Sequence, residues 1–360
     1  MKRVRTAIVG CGKVGQIHAG ALSRLPQSEL IANCDTCSER AISFASRYGG
    51  KPYTQPETMF REQAVEAVFV CTPPPLHAAT AIAAAQLGAH VMLEKPMAAS
   101  LGDCDAMLDA ARRCHVHLGV ISQRRFFEPV RRMKAAIDAG KIGKPALGIL
   151  TMLSWRDEAY YRSDPWRGKW ETEGGGVLMN QSPHPLDILR WLMGPIEEIS
   201  GYWANLNHPY IEVEDSAVAA IRFCDGALGS VVASVSQRPG LYTKVHIHGA
   251  NGASIGVETD RGSSFVAGMT EISAPPLNDL WTIPGEEHLL SAFEAEDRTQ
   301  FEKVRSTEYY HELQIRDFLD AILDNRDPLV TGEDGRAVVE IIEAIYLSSR
   351  EHRPVRFPLS

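Results

Sequence analysis

Short apolar runs alternate with stretches of helical period over the first third of the chain. Residues 4–9 predict a buried strand, 13–25 a helix, 29–35 a strand, and 38–48 a helix with Ser38 as its N-cap. The alternation continues with a strand at 65–72, an Ala-rich helix at 76–87, a strand at 91–94, a helix at 101–113 and a strand at 116–121. Strands separated by helices need crossover connections, so the pattern predicts an α/β fold with a parallel, doubly wound sheet.

Beyond residue 122 the pattern changes. Residues 129–139 predict a helix ending at Gly140. Across 145–155 and 196–257 strand-like runs follow one another without helices, and Asp225-Gly226 and Asn251-Gly252 supply hairpin turns. That predicts a mostly antiparallel sheet, followed by helices at 307–323 and 334–349. Periodicity is weak over 260–305, and no element is predicted there. A chain of 360 residues exceeds one ordinary core. The predicted domains are 1–122, for a dinucleotide, and 123–360, for substrate.

Composition narrows the class. With 44% hydrophobic and 23% charged residues the chain reads as globular. A net charge of −8 without basic runs argues against nucleic-acid or anionic-membrane partners. No apolar stretch reaches membrane-spanning length, and the N-terminus lacks a signal core, so a cytoplasmic location is expected. The seven scattered cysteines read as reduced thiols. Cys34 and Cys37 form a C-x-x-C without a second ligand pair, so no metal is expected.

Gly10-Cys-Gly12-Lys13-Val14-Gly15 follows a strand and opens a helix, the context a phosphate-binding G-x-G-x-x-G requires. The first glycine permits the turn, the second admits the pyrophosphate, and the third allows close packing of helix on strand. Asp35, twenty residues after Gly15, ends the second strand and can accept hydrogen bonds from ribose hydroxyls. Its charge repels a 2′-phosphate, so NAD is expected over NADP; Arg40 sits inside the following helix pattern. Thr72 and Pro73 end a later strand and can line the nicotinamide side. Glu94-Lys95-Pro96 ends another, where Lys95 can polarise a substrate hydroxyl and Glu94 can pair with it.

In Glu173-Gly-Gly-Gly-Val-Leu-Met-Asn180-Gln-Ser-Pro-His184-Pro-Leu-Asp187, the glycines let the chain pass close to a ligand. Asn180, His184 and Asp187 share one face if helical, which Pro183 and Pro185 permit only for a helix beginning near Pro185. His184 can accept a hydroxyl proton near neutral pH. Tyr160, Trp166 and Arg167 offer stacking and hydrogen bonds to a polyhydroxylated ring. His311 opens a late helix, where a substrate contact competes with a place on the helix surface.

These motifs resemble the glucose–fructose oxidoreductase/inositol dehydrogenase (Gfo/Idh/MocA) family, through residues 10–15, 71–77, 90–96, 174–187 and the ending 344–349 with 354–358. The resemblance implies an N-terminal Rossmann domain and a C-terminal α/β domain whose open sheet mediates homodimers or homotetramers. It implies NAD(P)-dependent hydride transfer at a secondary hydroxyl of a sugar, glycoside or cyclitol. It also implies a catalytic Lys95 with a cis Lys–Pro bond, a catalytic His184, His77 beside the cofactor and Arg124 at the start of the substrate domain. Many members carry Asp where this chain has Asn180, which can orient a group but not exchange protons. Alternatives are a dihydrodiol dehydrogenase or reductase of non-sugar carbonyls, and a non-catalytic dinucleotide-binding regulator.

Overall fold

The computed structural model describes residues 2–261, 264–266, 269–271 and 273–359. The chain forms two compact units, Met1–Gln123 with Thr307–Val339, and Arg124–Ser306 with Glu340–Ser360.

The first unit begins β1 (Val4–Val9), α1 (Lys13–Arg24), β2 (Ser28–Cys34), α2 (Ser38–Tyr48), β3 (Lys51–Tyr53) and α3 (Pro56–Glu62). It continues β4 (Ala67–Val70), α4 (His77–Gln86), β5 (His90–Leu93), α5 (Leu101–Cys114) and β6 (Leu118–Val120). The six strands pair in parallel in the order β3-β2-β1-β4-β5-β6. Strands covered on both faces are apolar throughout, and Ala67–Val70 is fully buried. Late in the chain, Ile315, Phe318 and Leu319 pack with Ile8, Leu22, Phe69 and Met92 in one apolar cluster of this unit.

The second unit starts with α6 (Glu128–Asp138), β7 (Pro145–Leu153), α7 (Glu158–Arg162), α8 (Trp170–Glu173) and α9 (Pro183–Met193). Strands β8 (Ile196–Ala204), β9 (Ser216–Phe223), β10 (Leu228–Ser234), β11 (Tyr242–Gly249) and β12 (Ser254–Thr259) follow. After them come β13 (Ser264–Val266), β14 (Met269–Glu271), β15 (Leu277–Trp281) and α10 (Leu289–Lys303). The chain closes with α11 (Ser306–Asp324), α12 (Gly332–Glu351) and β16 (Val355–Arg356). The large sheet runs β15-β12-β11-β7-β10-β9-β8-β16 and is antiparallel except for the β7–β10 pair. The predicted turns join β9 to β10 and β11 to β12 as hairpins.

Three local expectations change. Ser38 is the first residue of α2, and Cys37 occupies the N-cap. Asn180 lies in a π-helical turn over Val177–Gln181, before α9 begins at Pro183, so no single α-helical face carries Asn180, His184 and Asp187. Proline tolerates the first helical turn because it has no N–H to place there. The unassigned stretch 260–305 holds α10 and three short strands.

Candidate active site

The first unit's sheet reverses direction between β1 and β4. The chain leaves β1 toward β2 and β3, then returns through β4 toward β5 and β6. Ligands of open α/β sheets bind at such a switch point, outside the carboxyl ends of the strands. Here the loops after β1 and β4 touch: a Cβ on Gly10, whose φ is +99°, would lie 2.7 Å from the Cys71 carbonyl. A Cβ on Gly15 would lie 2.0 Å from the Gly10 oxygen, whereas one on Gly12 would meet nothing within 4 Å. Gly12 caps α1 without a side-chain hydrogen bond, and no acidic residue occupies the first turn, which holds exposed Lys13 and half-buried Val14. An open space before uncapped N–H groups suits a pyrophosphate.

Asp35 is buried at the end of β2. Its Oδ2 accepts Cys11 N–H at 3.0 Å and its Oδ1 accepts Cys37 N–H at 2.9 Å. Arg40 turns back from α2 to donate to Oδ2 at 3.2 Å. Thr72 keeps its hydroxyl oxygen buried without a partner, an unsatisfied group that a bound ligand would satisfy. His77 is fully buried, with its ring nitrogens 2.8 Å from the Thr72 carbonyl and 3.1 Å from the Met97 carbonyl. It thereby ties the loop after β4, with Pro73, to the loop after β5; burial lowers its basicity against the pull of those carbonyls.

Glu94 closes β5. Its Oε1 meets His18 Nε2 at 2.8 Å, and its Oε2 accepts Lys95 N–H at 3.1 Å. Burial alone would raise its carboxyl, but the His18 hydrogen bond and the charges of His18, His311 and Lys95 bring it down to about 2. The Lys95–Pro96 bond is cis. His311 is buried, not on the helix surface: its Nδ1 donates to the Thr307 carbonyl at 2.6 Å, and its Nε2 lies 3.9 Å from Glu94 Oε1.

The second unit supports its glycine run on a residue that sequence reading missed. Glu214 accepts Gly176 N–H at 2.8 Å, Leu178 N–H at 2.9 Å and the Tyr346 hydroxyl at 2.9 Å. A Cβ on Gly176 would stand 1.8 Å from the Glu214 carbonyl oxygen, so only glycine admits this approach. Burial pushes the Glu214 carboxyl up to about 7, against the three donors. In sequence it is one of several acids in Glu-Val-Glu-Asp, with nothing to mark it as buried.

Around this loop, Asn180 donates its amide to Glu173 Oε1. Tyr160 is buried, and its hydroxyl accepts from Arg167 at 2.6 Å and from Gln181 at 2.9 Å. Burial raises the Tyr160 phenol to about 12. The Arg167 guanidinium lies 4.4 Å from the ring centroids of both Tyr160 and Trp166. His184 sits in the first turn of α9, buried at 8% exposure. Tyr160, Trp166, Arg167, Gln181, Asn180 and Glu173 thus form one polar–aromatic group. Arg124 and Asp187 are held in ion pairs. Arg124 grips both oxygens of Asp260 at 2.5 and 2.8 Å, and Asp187 binds buried Arg125.

A glycine cradle at a switch point, a carboxylate at the end of β2 and a lysine at the end of β5 define a dinucleotide-dependent oxidoreductase. Two family models match: residues 4–122 fit "Oxidoreductase family, NAD-binding Rossmann fold", and residues 130–255 fit "GFO/IDH/MocA C-terminal domain". The chain belongs to the Gfo/Idh/MocA family. It is an NAD-dependent oxidoreductase, and residues 4–122 match the NAD-binding fold. It is 27% identical over 361 residues to myo-inositol 2-dehydrogenase of Thermotoga maritima, covering 98% of both chains. It is 29% identical over 360 residues to scyllo-inositol 2-dehydrogenase (NAD(+)) of Bacillus subtilis, covering 98% of this chain and 96% of that one. Its fold superposes with a TM-score of 0.86 on the WlbA dehydrogenase of Bordetella pertussis, solved with NADH and UDP-GlcNAcA, at 28% identity over 100% and 99% of the two chains.

Proposed function

We propose that the protein moves a hydride between NAD and a secondary hydroxyl carbon of a sugar, glycoside or cyclitol. The observation that carries this reading is Lys95: it follows β5 on the carboxyl edge that bears the glycine cradle and Thr72, and its backbone is held by a buried carboxylate. The family relatives that act on inositols support the substrate class. The glycine cradle and Asp35 would hold the dinucleotide, which supplies the hydride acceptor when bound.

The remaining roles fall to side chains. A Lys95 ammonium stabilises negative charge developing on the substrate oxygen. His184 accepts the hydroxyl proton as neutral imidazole. Asn180, held by Glu173, has no proton to exchange near neutral pH and orients the hydroxyl. Tyr160, Trp166 and Arg167 hold the ring of the substrate. Arg124 and Asp187 act through their ion pairs, by shaping this unit's loops. The test is NAD reduction, followed by absorbance, across inositols, free sugars and UDP-linked sugars. Turnover with none of them, in either direction, would refute the reading.

The same reading includes a homodimer or homotetramer built on the large sheet. Leu147, Tyr202, Val218, Leu228 and Val232 are exposed, and registers pair Tyr202 with Val218, Val218 with Val232, and Leu228 with Leu147 on one face. Exposed apolar residues grouped in this way support an interface between copies of the chain. A cytoplasmic setting suits the seven free cysteines. Among the described residues no helix is long and apolar enough to cross a membrane.

A further inference from the structure

We infer that His18 is a positioning residue for the reaction at Lys95, acting through Glu94 and linking that lysine to the helix that opens the dinucleotide loop. The inference rests on the reading of Lys95 given above. His18 lies on α1, five residues beyond Lys13, and is fully buried. Glu94 is a carboxylate with no proton to give, so the 2.8 Å contact requires His18 to donate from Nε2. Its Nδ1 is buried without a partner. The other oxygen of Glu94 accepts Lys95 N–H. A continuous path of two hydrogen bonds therefore runs from the cofactor helix to the backbone of the reactive lysine.

Stability alone does not account for this arrangement. His18 and Glu94 sit beside an apolar cluster, with the His18 ring 5.8 Å from Phe69. Apolar side chains of similar volume would fill that space without removing a carboxylate from water. What the polar chain provides is a fixed carboxylate. Facing it are His18 from α1, His311 from α11, Lys95 beyond β5, Cys71 beyond β4 and His77 of α4. His311 donates away from Glu94, to Thr307, whereas His18 Nε2 hydrogen-bonds Oε1. The donor atoms of His18, Glu94 and His311 lie within 4.8 Å of one another, a spacing that a divalent cation also fits. The His18–Glu94 contact at hydrogen-bond distance favours the positioning role.

The test uses the full-length protein with NAD and myo-inositol, or whichever panel substrate turns over fastest. His18→Phe keeps a ring and removes the donor; His18→Gln restores an N–H near the position of Nε2; His18→Asn is too short to reach. Phe and Asn should lower kcat about ten- to a hundredfold, the scale of a lost charge-assisted hydrogen bond, while KM and NAD affinity stay near the parental values. Gln should recover most of the loss. Glu94→Gln should match His18→Phe, and the double variant should fall no further than the worse single one. Should His18→Phe fail to fold, the contrast between Gln and Asn carries the comparison. Parental kcat in both the Phe and Asn variants, or stoichiometric zinc with chelator-sensitive turnover, would overturn the inference. Lys95→Ala, measured in parallel, separates the two readings. If it keeps turnover, the assignment of Lys95 fails; if it is inactive while the His18 variants are normal, only the role of His18 fails.

Discussion

Replacing Glu214 by Gln tests how the second unit holds its glycine loop. The carboxylate receives three donors, Gly176 N–H, Leu178 N–H and the Tyr346 hydroxyl, from which water is excluded. Glutamine keeps the shape but offers one acceptor oxygen, so one backbone N–H must face an amide donor in either orientation. That resembles the protonated acid and cannot ionise. Burial raises the Glu214 carboxyl from 4.5 to about 7 in the folded chain. A raised carboxyl favours the fold below its unfolded value, and that contribution is lost as pH rises through the folded value. That rise corresponds to about 3 kcal/mol. The wild type should therefore lose about 3 kcal/mol between pH 4.5 and 8 relative to Glu214→Gln, whose curve lacks this slope. Denaturant unfolding at pH 4.5, 6 and 8, followed by tryptophan fluorescence, measures it; Trp170 and Trp203 lie 5.4 and 5.9 Å from the Tyr346 ring and report on the site. Parallel curves for the two proteins would refute the reasoning.

Lys95→Ala should lower turnover at least about a hundredfold with NAD affinity nearly intact, and His184→Ala should erase the ionisation of the base from the pH profile of kcat/KM; calorimetry and steady-state rates check both. Asn180→Asp restores the residue many family members carry, which by itself predicts turnover within about tenfold of the parent. The hydrogen bond to Glu173 adds a condition: the new carboxylate would face another, so the variant's melting temperature should fall at pH 8 more than at pH 5, and Glu173→Gln should restore it. Asp35→Ala should narrow the preference for NAD over NADP by removing the repulsion of a 2′-phosphate and releasing Arg40 from its ion pair; titration with both nucleotides measures the change, and an unaltered ratio would sink the role of Asp35.

The sequence alone determined the parts of this protein that depend on neighbours in the chain. The turn at Gly10, the helix it opens and the placement of Asp35 and Lys95 at strand ends all follow from glycine sterics and apolar periodicity, which act over a few residues. The antiparallel character of the second sheet was legible from Asp225-Gly226 and Asn251-Gly252 for the same reason. Tertiary structure decided the rest. Nothing near Glu214 in sequence marks it as the anchor of Gly176, because its partners Gly176, Leu178 and Tyr346 lie 36 to 132 residues away. Asn180 fell in a π-turn instead of a helix, in a loop where distant Glu214 takes the Gly176 and Leu178 N–H groups. His311 read as a helix-surface or substrate residue until the fold set it beside Glu94 and His18. Burying polar groups costs free energy, and for Glu214 only partners far away in sequence offset it.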